Sequence, residues 1–151
     1  MPESDFLAAL RALHDGGVKF LVVGGVAAVL NGAPINTFDL DVVHARDETN
    51  VSKLLRVLDR RLKPGAGHLS SAGHHNLITT CGPLDVLGSI GLGLSYEDLL
   101  PDTVEMEIGG GVRVRVLGLA KIVALKEELG GEKDLAVLPI LRRTLEQKER
   151  E

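Results

Sequence analysis

The stretch from Phe20 to Val43 reads FLVVGGVAAVLNGAPINTFDLDVV, and it decides how the chain folds. An apolar, β-branched run from Val18 to Val23 is typical of a short buried strand. Gly24-Gly25 then predicts a tight turn into a short helix from Val26 to Asn31. Polar and apolar residues alternate from Thr37 to Val43, which predicts a second strand.

The second strand carries two carboxylates, Asp39 and Asp41. Alternate side chains of a strand share a face, so we expect the two to project together. A third acid, Asp85, lies in the apolar run PLDVL, where an unpaired charge is costly to bury. If the two strands are neighbours, the three carboxylates converge and form a site for Mg²⁺ or Mn²⁺. The alternative places Asp39 and Asp41 on a solvated face and Asp85 in a turn, and spacing alone does not separate the two readings.

The rest of the chain predicts further helices and two hairpins. Helices are expected over residues 5–14, after Asp47 or Thr49 as far as Leu62, and over Leu119–Leu129 and Asp134–Leu145, with a fraying tail from Glu146 to Glu151. Hairpins are expected from His75–Thr80 with Leu84–Leu87 and from Met106–Ile108 with Val112–Val116. We therefore predict an α/β (α+β) fold, a small mixed β-sheet flanked by helices. We expect residues 1–151 to form one domain, with a core of about 5–116 and C-terminal helices of about 117–147.

Composition excludes several classes of protein. Of the 151 residues, 44% are hydrophobic and only 3% aromatic, so the core is aliphatic and stacking platforms for single-stranded nucleic acid are disfavoured. A net charge of −4 argues against general coating of nucleic acid. Cys81 is the single cysteine, and we expect a cytoplasmic protein without an internal disulfide or a membrane span.

The joint pattern resembles the nucleotidyltransferase superfamily. The pattern consists of a strand ending at Gly24-Gly25, a short helix to Gly32, Thr37-x-Asp39-Leu40-Asp41 and a later strand acid. Members of that superfamily include DNA polymerase beta, the minimal nucleotidyltransferases and the AbiEii-type toxins with related small bacterial proteins. The resemblance covers roughly Phe6 to Leu87 and is weaker over Leu117 to Leu145. It implies that the single domain expected over residues 1–151 is nucleotidyltransferase-like.

The resemblance implies roles for particular residues. Gly24 and Gly25 would approach a triphosphate with their backbone amides, as glycine and a helix N-terminus permit. Thr37 matches the motif, and Lys126 is the better candidate of two helix lysines for a nucleotide contact. Lys121, the other, is expected to be solvated.

The resemblance also implies an activity. It would be a metal-dependent nucleotidyltransferase, moving an NMP from an NTP, ATP by default, to a hydroxyl of a tRNA end, a protein or a small molecule. A toxin–antitoxin or phage-defence setting, a cognate partner or a homo-oligomer would fit this family. Ile35 stands where relatives often have Arg, which leaves a weak or inactive module that binds nucleotide or a protein as the alternative.

Other features point to ordinary structure. We expect Arg56, Arg60, Arg61 and Lys63 to form an exposed helix face rather than a contact to an RNA acceptor. His68, His74 and His75 lack a Cys pair, and adjacent strand residues face opposite ways, so zinc is disfavoured. The G-x-G-x-x-G spacing of a dinucleotide fold is absent.

Overall fold

The computed structural model describes residues 5–62 and 74–150 and contains one six-stranded mixed sheet with helices packed around it. The strands are β1 (Phe20–Val23), β2 (Leu40–His44), β3 (His74–Thr79), β4 (Gly82–Leu87), β5 (Thr103–Glu107) and β6 (Arg113–Leu117). The helices are α1 (Phe6–Asp15), α2 (Gly24–Leu30), α3 (Glu48–Val57), α4 (Tyr96–Leu99), α5 (Leu119–Leu129) and α6 (Glu132–Glu149). A π-helical turn, Leu58–Leu62, extends α3, and a 3₁₀ turn, Leu100–Asp102, follows α4.

The strand order is β3-β4-β2-β1-β6-β5. β1 pairs antiparallel with β2 and parallel with β6, and β2 pairs parallel with β4. The two outer strands, β3 and β5, close antiparallel hairpins with β4 and β6. The carboxyl ends of β1 and β6 therefore lie at the same edge of the sheet as the amino ends of β2 and β4. We call this edge the acidic edge, because it holds Asp41 and Asp85.

One aliphatic core supports the sheet. Leu10 and Leu13 of α1, Leu54 of α3, and Leu40 and Leu84 of the sheet are each at most 1% exposed. Because the core is closely packed, substitutions at these positions are destabilising. Truncating a buried leucine to alanine lowers the free energy of unfolding by about 2–5 kcal/mol. The mixed α/β architecture and both hairpins predicted from the sequence are confirmed.

Two elements near the motif begin at other residues than predicted, and one later helix was not predicted. The second strand begins at Leu40 and not at Thr37, so Asp39 precedes the strand. Gly24 and Gly25 are the first residues of α2 and not a separate turn. The unpredicted helix is α4, which starts with a capping box between Ser95 and Asp98.

The expected fraying of the tail from Glu146 is wrong as far as Glu149, where α6 ends. Lys148 Nζ donates a hydrogen bond of 2.9 Å to Asn31 Oδ1. The buried Asn31 amide in turn donates to the carbonyls of Ala27 and Leu117, at 2.8 and 3.0 Å. This contact ties the last turn of α6 to α2 and β6, which propensity alone does not reveal. Within the described residues, none of the helices has both the length and the apolarity that crossing a lipid bilayer requires.

His44 is the largest polar side chain of the core. It is fully buried at the end of β2, and its Nδ1 donates to the carbonyl of Ala45 at 3.0 Å. Its Nε2 is buried without a hydrogen-bond partner among the described residues. Burial lowers the pKa of His44 below 6.5, its ordinary value, because the charged imidazolium loses its hydration.

We expect His44 to make the protein acid-sensitive. Below about pH 6.5 the unfolded chain takes up a proton that the folded His44 resists, so the contribution of His44 to the free energy of unfolding falls as the pH decreases. In melts recorded between pH 7.5 and pH 5, the stability of the wild type minus that of the His44→Leu variant should therefore fall as the pH decreases. A His14→Gln variant, at an exposed histidine, is the control and should follow the wild-type profile. A flat difference between the wild type and His44→Leu would contradict this assignment.

Candidate active site

Two carboxylates meet at the acidic edge of the sheet. The parallel register of β2 and β4 sets Asp41 directly opposite Asp85, and cross-strand neighbours share a face. The carboxyls are close enough for protonated Asp41 to donate a hydrogen bond to Asp85. Burial, that hydrogen bond and the negative charges of Asp85 and Asp39 raise the pKa of Asp41 to about 8, and the charge of Lys126 opposes the rise.

Asp39 joins this pair less closely than the sequence suggested. It lies outside β2 and is exposed, so the two acids of the motif do not project from one strand. Its backbone carbonyl accepts a hydrogen bond of 3.3 Å from Thr37 Oγ1, which holds the segment that leads into β2. The negative charge of Asp39 nevertheless contributes to the raised pKa of Asp41. Over residues 5–62 and 74–150, no three His, Cys, Asp or Glu side chains form a ready metal-binding group.

The oxygen donors of this site nevertheless suit a hard divalent cation. Two carboxylates in contact can both ionise only at a high electrostatic cost, as the raised pKa of Asp41 shows. A divalent cation would remove that cost by replacing the shared proton. Asp41 and Asp85 therefore fit Mg²⁺ or Mn²⁺, and Asp39 is the nearby exposed carboxylate that would complete the set.

Gly24 and Gly25 bring the start of α2 against these residues. Gly24 has a φ of +67°, and a Cβ atom on it would collide with the carboxylate oxygen of Asp41. A Cβ atom on Gly25 would lie 2.6 Å from Thr37 Oγ1. At each of the two positions, therefore, a side chain would come too close to a neighbouring residue, and glycine avoids this. The Gly-Gly and Thr-x-Asp-x-Asp parts of the motif are in direct contact.

A cleft of about 160 Å³ opens beside the carboxylate pair. We call it the acidic cleft. Its lining is mostly apolar, contributed by the ends of β1, β4 and β6 and by α5, and its polar members are Asp41, Lys126 and Asp134. An apolar cavity with a few convergent polar groups is the usual form of a small-molecule site.

The structure pairs Lys126, the predicted nucleotide contact, with Asp134. Lys126 Nζ lies 3.2 Å from Asp134 Oδ1, and both side chains are about a quarter exposed. The short Gly130-Gly131 connection folds the first turn of α6 back beside the last turn of α5 and so brings the two together. The sequence analysis treated Asp134 only as a helix start. The other helix lysine, Lys121, lies 3.8 Å from Asp102 and does not line the acidic cleft.

Asn76 was also missed by the sequence analysis. The β3–β4 register places it directly opposite Asp85, so the two side chains share a face, and Asn76 is exposed. Its position opposite Asp85 follows only from the hairpin register, which is not apparent from the sequence. Of the three histidines considered for zinc, His68 lies outside the described residues, as does Lys63 of the expected basic helix face. His74 and His75 are adjacent on β3.

The pKa of Asp41 gives a prediction for the metal-free protein. Between about pH 4 and pH 8 the folded state holds a proton on Asp41 that the unfolded state has released. The free energy of unfolding should therefore fall as the pH rises through this window. In chelator-treated samples, subtracting the pH profile of Asp41→Asn from that of the wild type should isolate this fall. A flat difference profile would contradict the assignment.

The contact between Gly24 and Asp41 gives a second prediction. Gly24→Ala should lower the free energy of unfolding by about 2–4 kcal/mol, from the positive φ and the collision together. In an Asp41→Ala background, the left-handed cost of about 1–2 kcal/mol should dominate, because only the Cβ atom of residue 41, 3.3 Å from the added methyl group, remains in contact. Gly93→Ala, which has a φ of +88° and open space around it, is the matched control and should show the same smaller cost. Equal effects of Gly24→Ala in both backgrounds would exclude the collision. Chemical denaturation measures all four variants.

Comparison with known proteins supports the fold. No protein-family model matches the chain, and no curated protein matches it significantly. The chain is similar to the crystal structure of a candidate nucleotidyltransferase from Thermotoga maritima. The match has a TM-score of 0.61 and 20% sequence identity, and covers 94% of this chain and 93% of that one. At this identity the likeness concerns the fold, and it confirms that the chain has the nucleotidyltransferase fold that its Gly-Gly and Asp-x-Asp motifs predicted.

Proposed function

We propose that the protein is a metal-dependent nucleotidyltransferase, which moves an NMP from an NTP to an acceptor hydroxyl. The carboxylate contact between Asp41 and Asp85, beside the Gly24-Gly25 start of α2, is the observation that carries the proposal. A pair of acids held together at this cost, at the mouth of a cleft, is more typical of a functional site than of a structural one. The nucleotidyltransferase fold of the chain supports the same reaction.

The reaction is an in-line displacement at phosphorus. The acceptor hydroxyl oxygen forms a bond to the α-phosphorus, the bond to the bridging α–β oxygen breaks, and pyrophosphate leaves. Asp39, Asp41 and Asp85 would hold Mg²⁺ or Mn²⁺, which lowers the pKa of the hydroxyl and neutralises charge on the leaving group. Asp85 would accept the hydroxyl proton. The backbone of Gly24 and Gly25 and the ammonium of Lys126 would contact the phosphates.

The acceptor and the biological setting are proposed from the family resemblance alone. ATP is the default donor, and a tRNA end, a protein side chain or a small molecule would serve as the acceptor. A cytoplasmic toxin–antitoxin or phage-defence role, with a cognate protein partner or a second copy of the chain, would fit small proteins of this kind. The apolar lining of the acidic cleft would suit a base or ribose of the nucleotide.

A second candidate function is a nucleotidyltransferase-fold module that binds nucleotide or protein without turnover. Two observations favour it. Ile35 stands where relatives often carry Arg, and Asp134 already neutralises Lys126, so the phosphates would have to compete for that lysine. Such a module would keep its fold and its partner without needing the carboxylate pair.

Thermal unfolding with Mg²⁺ or Mn²⁺ and each of the four NTPs tests the proposal. A ligand at about 100 times its dissociation constant adds about 2.7 kcal/mol of stability, which is a clear melting shift. The shift should require the metal and vanish in Asp39→Asn/Asp41→Asn. A control variant with Asp59→Asn, at an exposed carboxylate of the π-helical turn, should retain it.

Transfer is then measured with α-labelled NTP and tRNA or protein acceptors. Label in the acceptor together with released pyrophosphate would establish the enzyme. A nucleotide-dependent shift without any transfer would favour the binding module. The absence of a shift with all four nucleotides would exclude the proposed donor site.

A further inference from the structure

A second cleft, of about 140 Å³, lies between the end of α1 and the end of α3. We call it the basic cleft, and its lining residues are Gly16, Lys53, Arg56, Val57 and Arg60. Its volume is well above the ~10–15 Å³ that one water molecule needs, and it admits a tetrahedral oxyanion. Three of its five lining residues are cationic, and none is acidic.

Two glycines make this cleft possible. A Cβ atom on Gly16 would collide with a methyl group of Val57, so only glycine lets the end of α1 approach α3 here. Gly17 follows with a φ of +72° and turns the chain away, while Lys53 passes 3.8 Å from the position of its absent Cβ. The cleft is therefore a consequence of close helix packing and is not a loose surface gap.

The cations of the basic cleft have no carboxylate partner within 4 Å in the part of the chain that the structure describes. Some cations elsewhere in the described chain do have one, and they are Arg113, Arg115, Lys121, Lys126 and Arg142. What distinguishes the basic cleft is that three unpaired cations line it together. Lys53, Arg56 and Arg60 make no such ion pair with any described residue. Since they are three, four and seven residues apart on one helical surface, they repel one another at a cost in stability. A bound anion would remove that cost.

The helix geometry changes at this cleft. α3 ends at Val57 and continues as the π-helical turn Leu58–Leu62, which contains Arg60. π turns are rare, and they occur frequently at functional sites because they redirect a side chain away from the α-helical register. The turn lies within the basic stretch that the sequence analysis attributed to an exposed helix face.

A structural explanation of the cations is that they complement the negative end of the α1 dipole. The carbonyls at this end already accept backbone hydrogen bonds: those of Ala12, Leu13 and His14, from the N–H groups of Gly16, Val18 and Gly17 at 3.0–3.2 Å. Asp15, the nearest acid of α1, lies 3.3 Å from His14. Because these carbonyls and Asp15 already have partners, the negative end of α1 does not by itself account for three further cations.

We propose that the basic cleft binds the phosphate groups of a nucleic-acid strand. Arginine fits phosphate with two parallel hydrogen bonds, and two of the three cations are arginines. The cleft lies at the end of β1 opposite to the acidic edge. The seven residues from Gly17 to Gly24 place it roughly 20 Å away at ~3.3 Å per residue. A free nucleotide in the acidic cleft does not reach that far, whereas a polymer does.

Phosphate binding in the basic cleft does not depend on catalysis at the acidic edge. If the nucleotidyl transfer proposed above also takes place, the same strand would extend from the basic cleft to the acidic edge. Its terminal hydroxyl would then be the acceptor, and the acceptor would be a polynucleotide rather than a protein or a small molecule.

Fluorescence anisotropy of a labelled short single-stranded RNA with the full chain, in chelator, tests the proposal. Each neutralised phosphate contributes about −0.7 to the slope of log affinity against log salt, so three cations predict a slope of about −2. Arg56→Gln/Arg60→Gln should weaken binding at least about tenfold and reduce the slope to about −0.7. Arg142→Gln/Arg143→Gln removes the same charge from α6 and should change affinity less than about twofold.

Several outcomes would overturn the proposal. These are equal losses in both double variants, no saturable binding by the wild type, or a lower melting temperature of Arg56→Gln/Arg60→Gln with unchanged RNA affinity. NMR shifts of the Gly16 and Gly17 amides with inorganic phosphate but not with RNA would assign a free-anion site instead. Asp39→Asn/Asp41→Asn should bind RNA as the wild type does, so failure of the nucleotide experiment would leave this inference intact.

Discussion

The pairing of β2 with β4 is the constraint on which the site depends. In the observed register, Asp41 and Asp85 are opposite each other on one face, while Leu40, Val42, Leu84 and Val86 are buried on the other. A slip of β4 by one residue against β2 would turn Asp85 into the aliphatic core and expose Leu84 and Val86, at a cost of many kcal/mol. The burial of the leucines therefore enforces the meeting of the carboxylates. The same hydrophobic effect that folds the sheet holds two like charges in contact, and Gly24 provides the space that the Asp41 carboxylate occupies.

Like charges lie close together at both ends of β1, and their repulsion lowers the free energy of unfolding. At the acidic edge a buried carboxyl is kept close to a second one, and at the opposite edge three cations line one cleft that has no acidic lining residue. Local strain of this kind persists only when the surrounding structure is stable enough to enforce it, and it concentrates at functional sites. The core supplies that stability, since Leu10, Leu13 and Leu54 are completely buried between α1, α3 and the sheet. The basic cleft depends directly on the packing of α1 against α3, whereas the acidic cleft is lined by the sheet, α5 and the start of α6.

The sequence predicted the elements whose signal is local. Helices with a clear apolar face, hairpins with glycine at the turn and the Gly-Gly and Asp-x-Asp motifs were all recognisable, and the fold followed from them. The position of Asp39 was misjudged because an extended segment shows the same alternation before a strand as within it. The Lys126–Asp134 pair and the placement of Asn76 beside Asp85 depend on helix packing and on register, which no local pattern encodes. The end of α6 escaped prediction for a similar reason, since it depends on the contact from Lys148 to Asn31.

The net charge of −4 conceals an uneven distribution of charge. The acidic edge and the basic cleft are separated by the extended segment from Gly17 to Gly24, roughly 20 Å, which is more than twice the Debye length of about 8 Å at physiological salt. Each site therefore acts on a ligand almost independently of the other. A phosphate-bearing strand that is attracted at the cationic end is repelled at the carboxylates unless a divalent cation neutralises them. In our proposals, the metal ion therefore has a role before any chemistry, because it decides whether the strand held at one end of the sheet can enter the acidic edge at the other.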